Sequence, residues 1–288
     1  MSLAVGTSFI SIKIVLDFMP PLFAFSIRFI ISGGILILVS YIFSKKNEDI
    51  KKTKLWINSL FIGTLMIFGG HGLLAWGAQF LTAGTASLLN STIPLWVALL
   101  LFLLFHRKIR NLGKIGLFLG FGGMVILVGP AVGGNESNLA GIIALLLSSF
   151  FMAIASVYYS RVSLPESVLL SAGMLMLIGG TLQLISSITI GELNLLPSYS
   201  EITLNLIMSF ILLIFFGTVI PIAELFWLLK ISTPSIATTF AYIAPVVAVF
   251  FGWALLAEPE TYLTVLATII ILIGVALIVR TSEKKILS

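Results

Sequence analysis

Apolar residues run through this chain in long blocks separated by short polar breaks. The blocks fall at 1–16, 21–43, 57–80, 84–105, 113–129, 139–160, 167–190, 206–229, 234–256 and 262–279. A helix needs about 20 apolar residues to cross about 30 Å of hydrocarbon, so the pattern predicts an all-α integral membrane fold of ten transmembrane helices. The first block is short. At about 1.5 Å per residue it reaches about 24 Å, which fits either a start upstream of Met1 or a helix tucked inside the bundle. No cleavable signal peptide is read there, because the stretch lacks a basic start and a small-residue cleavage site.

Composition agrees with lipid as the solvent. The chain is 59% hydrophobic and 9% charged, with no cysteine, and its mean hydropathy is +1.18. A soluble domain has about 45–50% apolar and about 25% charged residues. The lack of cysteine excludes disulfides and thiolate chemistry. His71 and His106 are the only histidines, and no cofactor or metal is expected.

The net charge of +5 suggests no nucleic acid, because the basic residues sit between the spans. With a cytoplasmic N-terminus, the inside loops and their margins hold 14 of the 16 basic residues, from Lys45 to Lys285. The outside loops hold none, yet carry Asp17, Glu136, Glu192, Glu201, Glu258 and Glu260. The positive-inside rule asks for this asymmetry. It predicts a multi-pass protein of a plasma or inner cell membrane, with both termini cytoplasmic. The lysine run in 44–56 reads as a solvated loop, with lipid headgroups as the alternative.

The chain also repeats itself. An ungapped slide of 151 positions carries Trp76 onto Trp227, Thr82 onto Thr233, Ala86 onto Ala237, Pro94 onto Pro245 and Gly123 onto Gly274. Five spans are an odd number, so the second copy enters the membrane upside down. Two inverted five-helix repeats, 1–129 and 139–280, with a cytoplasmic tail at 281–288, are the expected domains. Inverted repeats with a site near their interface are a recurrent transporter plan.

Several stretches carry a family resemblance. They are GTSFISIK (6–13), PPLFAFSIRF (20–29), WGAQFLTAGTASLLNSTIPLWVALL (76–100), IATTFAYIAPVVAVFFGWALLAEPET (236–261) and IGVALIV (273–279). Together they resemble an EamA-type permease of the drug/metabolite transporter superfamily, over nearly the whole chain. The resemblance implies ten helices, a central cavity, and export or uptake of amino acids or other metabolites. The chain departs from the family pattern at Val5, in the acid-free HRKIR loop (106–110) and at Glu224.

Candidate transport residues follow from polarity inside apolar spans. Pro94 and Pro245 lack an N–H and clash with the carbonyl four residues back, so they are expected to kink spans four and nine beside the pathway or against neighbouring helices. Glu224 lies inside span eight, where a charged carboxylate is costly; it is a candidate for proton coupling or for a cationic substrate group. His71 falls near Glu224 under the repeat offset, and serves either a site or helix packing. Lys13 is a candidate anion site or a snorkelling side chain. Arg28 reads chiefly as a structural charge locking its helix to neighbours. Asn90, Ser91, Ser149, Ser156, Tyr159 and Tyr242 supply polar groups at cavity depth, although lone serines often bond back to their own helix. Trp76, Trp227 and Tyr242 are expected as aromatic walls or interfacial anchors. The GxxxG pair Gly116 and Gly120 reads as close helix packing, within or between protomers.

No phosphate-cradling loop is present, so ATP hydrolysis by this chain is not expected. The leading expectation is a secondary transporter of a small metabolite, an amino acid or related compound, with export favoured and alternating access around a midplane cavity. Its partners are the substrate, membrane lipids and, as a coupling ion, protons, in a monomer or homodimer. A flippase for an amphipathic or lipid-linked substrate is the alternative. An intramembrane enzyme would need convergent catalytic groups, and a channel or scaffold would need no pair of gates.

Overall fold

In hydrocarbon, every apolar run must satisfy its own backbone polar groups, and an α-helix does so within one segment. The computed structural model describes residues 2–43, 53–106, 109–132, 136–197, 202–233, 237, 243–256 and 262–283. Among these, the secondary structure is helical throughout. Ten helices follow in order: α1 (Ser2–Leu16), α2 (Pro21–Phe43), α3 (Thr53–Ala78), α4 (Ala83–Phe105), α5 (Asn111–Val132), α6 (Glu136–Tyr159), α7 (Val168–Thr189), α8 (Leu204–Ile231), α9 (Ile243–Leu256) and α10 (Tyr262–Glu283). Within the described residues, α2, α3, α4, α6, α7 and α8 contain the six segments long and apolar enough to cross a membrane; the apolar stretches of α5, α9 and α10 are shorter. Start signals are legible at several ends. The hydroxyls of Thr82, Ser167 and Thr203 accept from the N–H groups of Thr85, Leu170 and Leu206, the N-cap bond that such residues favour.

The packing has a regular exchange. α2 packs on α7, α5 on α10, and α4 on α9. α1 packs on α9 and α8, while α6 packs on α4 and α3; α2 touches α8, and α7 touches α3. Replacing each helix by the one five places on returns the same contacts.

Glycines let backbones meet at the two main seams. A methyl group at Gly116 would sit 2.5 Å from the carbonyl oxygen of Gly274, and one at Gly33 would sit 2.9 Å from that of Gly173. Such contact is the main source of helix association in lipid, where burial of apolar surface drives little. The GxxxG pair therefore packs within the chain. Gly274 abuts Gly120, and Gly123 abuts Ile271. The 151-residue offset turns one of these contacts into the other.

Large apolar side chains on the outer face, such as Phe118 at 80% and Val125 at 70% exposure, face lipid, where exposure costs nothing. Polar ties gather at the bundle ends. At one end, Asn58 donates to the Ser163 carbonyl (2.8 Å), Ser40 and Ser167 share a bond (2.7 Å), and Lys230 donates to the Glu166 carbonyl. At the other end, the Glu192 carboxylate accepts from the N–H groups of Leu22 (3.2 Å) and Phe23 (2.8 Å) and from Ser187 (2.8 Å). It thereby satisfies orphan donors at the start of α2. The charge pattern of the chain assigns Glu192 only to an outside loop; its capping role comes from the tertiary packing.

Candidate functional site

Two helices depart from α geometry near their centres. α3 widens to a π-helix over Thr64–His71, and α8 does so over Phe215–Val219. The two stretches begin 151 residues apart, the offset of the repeat. A π-turn spreads the backbone and frees carbonyls for outside partners. In α3, the carbonyl of Ile67 accepts from the Gln183 amide of α7 at 2.8 Å. In α8, the carbonyl of Gly217 accepts from Arg28 Nη2 of α2 at 2.8 Å. Arg28 Nε also donates to the Thr218 hydroxyl, which in turn donates to the Leu213 carbonyl at 2.8 Å.

α4 is interrupted rather than kinked. Its first segment ends at Asn90, Ser91 and Thr92 form a turn, and a second segment runs Ile93–Phe105 with Pro94 in its first turn. Proline fits a first turn because its missing N–H has no helical partner there. Hydroxyls add to the backbone bonds at this turn: Ser91 Oγ donates to the Leu88 carbonyl (2.6 Å), and Thr92 Oγ1 (2.6 Å) and Ser149 Oγ of α6 (3.0 Å) donate to that of Leu89. Pro245 is the third described residue of α9, and both prolines are buried. The helical bond from Ala86 N–H to the Thr82 carbonyl is matched by one from Ala237 N–H to the Thr233 carbonyl, each 2.9 Å. The expected mid-span kinks are thus a helix restart in α4; the residues 238–242 that precede α9 lie outside the described residues.

These irregularities border a cavity with a core of about 70 Å3 that widens into open space at its mouth. α1 lends Ser8, Phe9 and Ile12; α2 lends Arg28; α3 lends Met66, His71 and Leu74; and α4 lends Asn90 and Ile93. From the second half come Met152 and Ser156 of α6, and Gly217, Pro221, Ile222 and Leu225 of α8. Met66, His71 and Leu74 lie one repeat offset from Gly217, Ile222 and Leu225. The α3 and α8 walls are therefore equivalent positions with different side chains.

Polarity is not shared equally. Arg28 is 2% exposed and Asn90 is 7% exposed. Arg28 Nη1, His71 Nδ1 and Asn90 Oδ1 are buried without a hydrogen-bond partner. The Phe29 ring lies 5.0 Å from the Arg28 guanidinium carbon and 4.9 Å from the His71 ring centroid. Phe25 flanks the guanidinium at 4.8 Å. In the second half, Ser156 is the polar side chain of the wall, and its hydroxyl is spent on the Met152 carbonyl at 2.7 Å.

Of the candidates read from sequence, the structure thus brings Arg28, His71, Asn90 and Ser156 together. The others stand elsewhere. Lys13 does not reach the cavity; its ammonium donates to the carbonyls of Gln79 (3.3 Å) and Leu81 (3.1 Å), pinning α1 to the end of α3. Ser91 is buried in the α4 turn. Tyr159 stacks on Phe226 at 4.8 Å and touches Ser171 Oγ at 3.4 Å. Trp227 is 53% exposed, because Gly217, Pro221 and Leu225 share one stripe of α8 and Trp227 lies about half a turn away. Trp76 is exposed and packs edge-on against Phe80, so neither tryptophan forms a cavity wall. Glu224 is half-buried beside Leu225 and does not line the cavity. Tyr242 lies outside the described residues. Arg28 acts as the expected lock and also borders the cavity. Polarity and spacing alone do not single out the π-turns, Ser8 or Gln183; extending the repeat offset from Trp76 back to Thr64 is the signal that pairs the two widened turns.

A bundle of apolar helices around a pocket with buried polar groups defines a polytopic membrane protein. Similarity to known proteins names the class. The EamA-like transporter family profile matches residues 1–129 and 139–280, and the chain belongs to this family of the drug/metabolite transporter superfamily, a family of transporters rather than enzymes. The chain is 32% identical over 276 residues to YedA, an uncharacterized inner membrane transporter of Escherichia coli (strain K12), covering 95% of this chain and 86% of that one. It is 26% identical over 271 residues to the uncharacterized transporter YoaV of Bacillus subtilis (strain 168), covering 94% and 91%. A solved crystal structure superposes with a TM-score of 0.68 over 98% of both chains at 16% identity, a likeness of fold.

Proposed function

We propose that this protein is a secondary transporter that moves a small metabolite, an amino acid or related compound, by alternating access, with export favoured. Two inverted five-helix halves, 1–129 and 139–280, rock about the cavity between them, with ten helices in the membrane and both termini in the cytoplasm. An inner or plasma membrane is the proposed location, in keeping with YedA as an inner membrane transporter. The observation that carries the reading is the cavity wall: Met66, His71 and Leu74 and their counterparts Gly217, Ile222 and Leu225 all line it. A site shared by equivalent elements of two halves is what a rocking pair needs. The reciprocal glycine seams and the paired π-turns support the same symmetry. Glu224, on the wall helix α8, is the proposed proton site.

Purified protein in liposomes should move at least one member of a panel of radiolabelled amino acids and related metabolites. Absence of flux for the whole panel, with folded protein in the bilayer, overturns the reading.

One observation favours a second reading, a flippase for an amphipathic substrate. An apolar groove on the flank between α2 and α8 is lined by Met19, Phe23, Ile27, Leu206 and Phe210 among others, a surface suited to an acyl chain. Scrambling of fluorescent phospholipids in the same liposomes tests it.

A further inference from the structure

We infer that the cavity holds a carboxylate against Nη1 of Arg28, and that its ligands are small monocarboxylates with a compact apolar body. The inference rests on the transporter reading for its biological sense, but its chemistry comes from the cavity alone. A guanidinium has five N–H donors. Arg28 spends its Nε donor on Thr218 and one from Nη2 on Gly217, and Nη1 has no partner. Among the described residues no carboxylate pairs with it. A buried cation without a counter-charge is costly inside a membrane protein. An incoming carboxylate removes that cost, and meets a donor already held in place.

The placement is fixed on three sides. The π-turn of α8 supplies the acceptors behind the guanidinium, and the Phe25 and Phe29 rings bracket it at 4.8 and 5.0 Å. The fork has little freedom left to lose, which favours binding. The lining also has an apolar side, made of Met152, Pro221, Ile222 and Leu225. The two sides ask for a ligand with one anionic end and one apolar end. The unpartnered acceptor Asn90 Oδ1 offers a place for a donor on the ligand, so an ammonium next to the carboxylate is accommodated but not required.

The test is binding to the purified full chain in detergent by titration calorimetry. The probes are acetate, 3-methylbutanoate, 4-methylpentanoate and leucine, each beside its neutral or amide counterpart: acetamide, 3-methylbutanamide, 4-methylpentanamide and leucinamide. The carboxylates with branched bodies should bind roughly tenfold or more tightly than their amides, the scale of one hydrogen bond to a charged group, and more tightly than acetate. Arg28→Gln, checked for folding by thermal unfolding, should erase the preference. The wild-type comparison stands without that variant. Equal affinity of carboxylate and amide, no carboxylate binding at all, or a folded Arg28→Gln protein that keeps the preference overturns the inference. Liposome flux separates it from the broader reading: transport of uncharged metabolites without carboxylate binding sinks this subsite alone, whereas carboxylate binding with no flux of any compound sinks transport alone.

Discussion

The guanidinium of Arg28 donates through Nη2 to the carbonyl of Gly217 at 2.8 Å, joining α2 to the widened turn of α8. The same group reaches the Thr218 hydroxyl. A lysine lacks the rigid planar fork whose Nε and Nη2 reach Thr218 and Gly217 together. Arg28→Lys should lower stability by about 1–3 kcal/mol, read as a lower unfolding temperature in detergent, and Thr218→Val by about 1 kcal/mol. If Arg28→Lys melts like the wild type, the lock between α2 and α8 is not structural.

The α5–α10 seam predicts a steep positional contrast. A methyl at Gly274 would lie 2.6 Å from the Gly120 nitrogen, a backbone atom that cannot step aside, whereas a methyl at Gly34 meets nothing within 4 Å. Gly274→Val should cost about 1–3 kcal/mol through overpacking and cut the yield of folded protein. Gly34→Ala should be neutral or slightly stabilising, because alanine is the better helix former. Size-exclusion profiles and melting curves of the two variants decide it.

Glu192 caps a helix distant in sequence. Glu192→Ala removes three acceptor contacts and leaves the Leu22 and Phe23 amides without them. A loss of about 0.5–2 kcal/mol follows, as for other N-terminal caps. Hydrogen exchange at Leu22 and Phe23 should quicken in the variant while the centre of α2 stays protected.

Two neighbouring positions on α8 should behave oppositely. Leu225 lines the cavity and Trp227 faces outward. Leu225→Trp should overfill the cavity and reduce flux about tenfold or more. Trp227→Leu should leave flux within about twofold, since surface substitutions rarely matter. Equal effects in the liposome assay would mean that this cavity is not the path.

Glu224→Gln tests coupling. If protons drive transport through this carboxylate, wild-type flux should change between two pH values, and the variant should lose both that response and much of its flux at normal expression. A variant with wild-type flux at both pH values removes Glu224 from the mechanism.

The fold is largely legible in the pattern of apolar runs, for a specific reason. Each span is an apolar run with its own backbone hydrogen bonds, so α2, for instance, begins and ends within the run that predicts it. The repeat is legible through Trp76, Pro94 and Gly123, whose images fall one offset away. The site is legible only in part. Arg28, His71 and Asn90 stand out because polarity is rare in such spans, and all three reach the cavity. Lys13 and Trp227 stand out as readily and do not. What separates them is helix phase, and two π-turns reset that phase in α3 and α8 without a composition signal of their own. The interruption in α4 is visible as Pro94, but its form depends on hydroxyls such as Ser149 arriving from another helix.

The cavity's polar groups come mostly from one half, while the other half contributes an equivalent wall of apolar atoms. Geometry and selectivity are thereby written in different places. Under the proposed transport role, substitutions at Asn90 or Ile222 should change what the cavity accepts while the glycine seams, which sit elsewhere in the bundle, keep the helices fitted together.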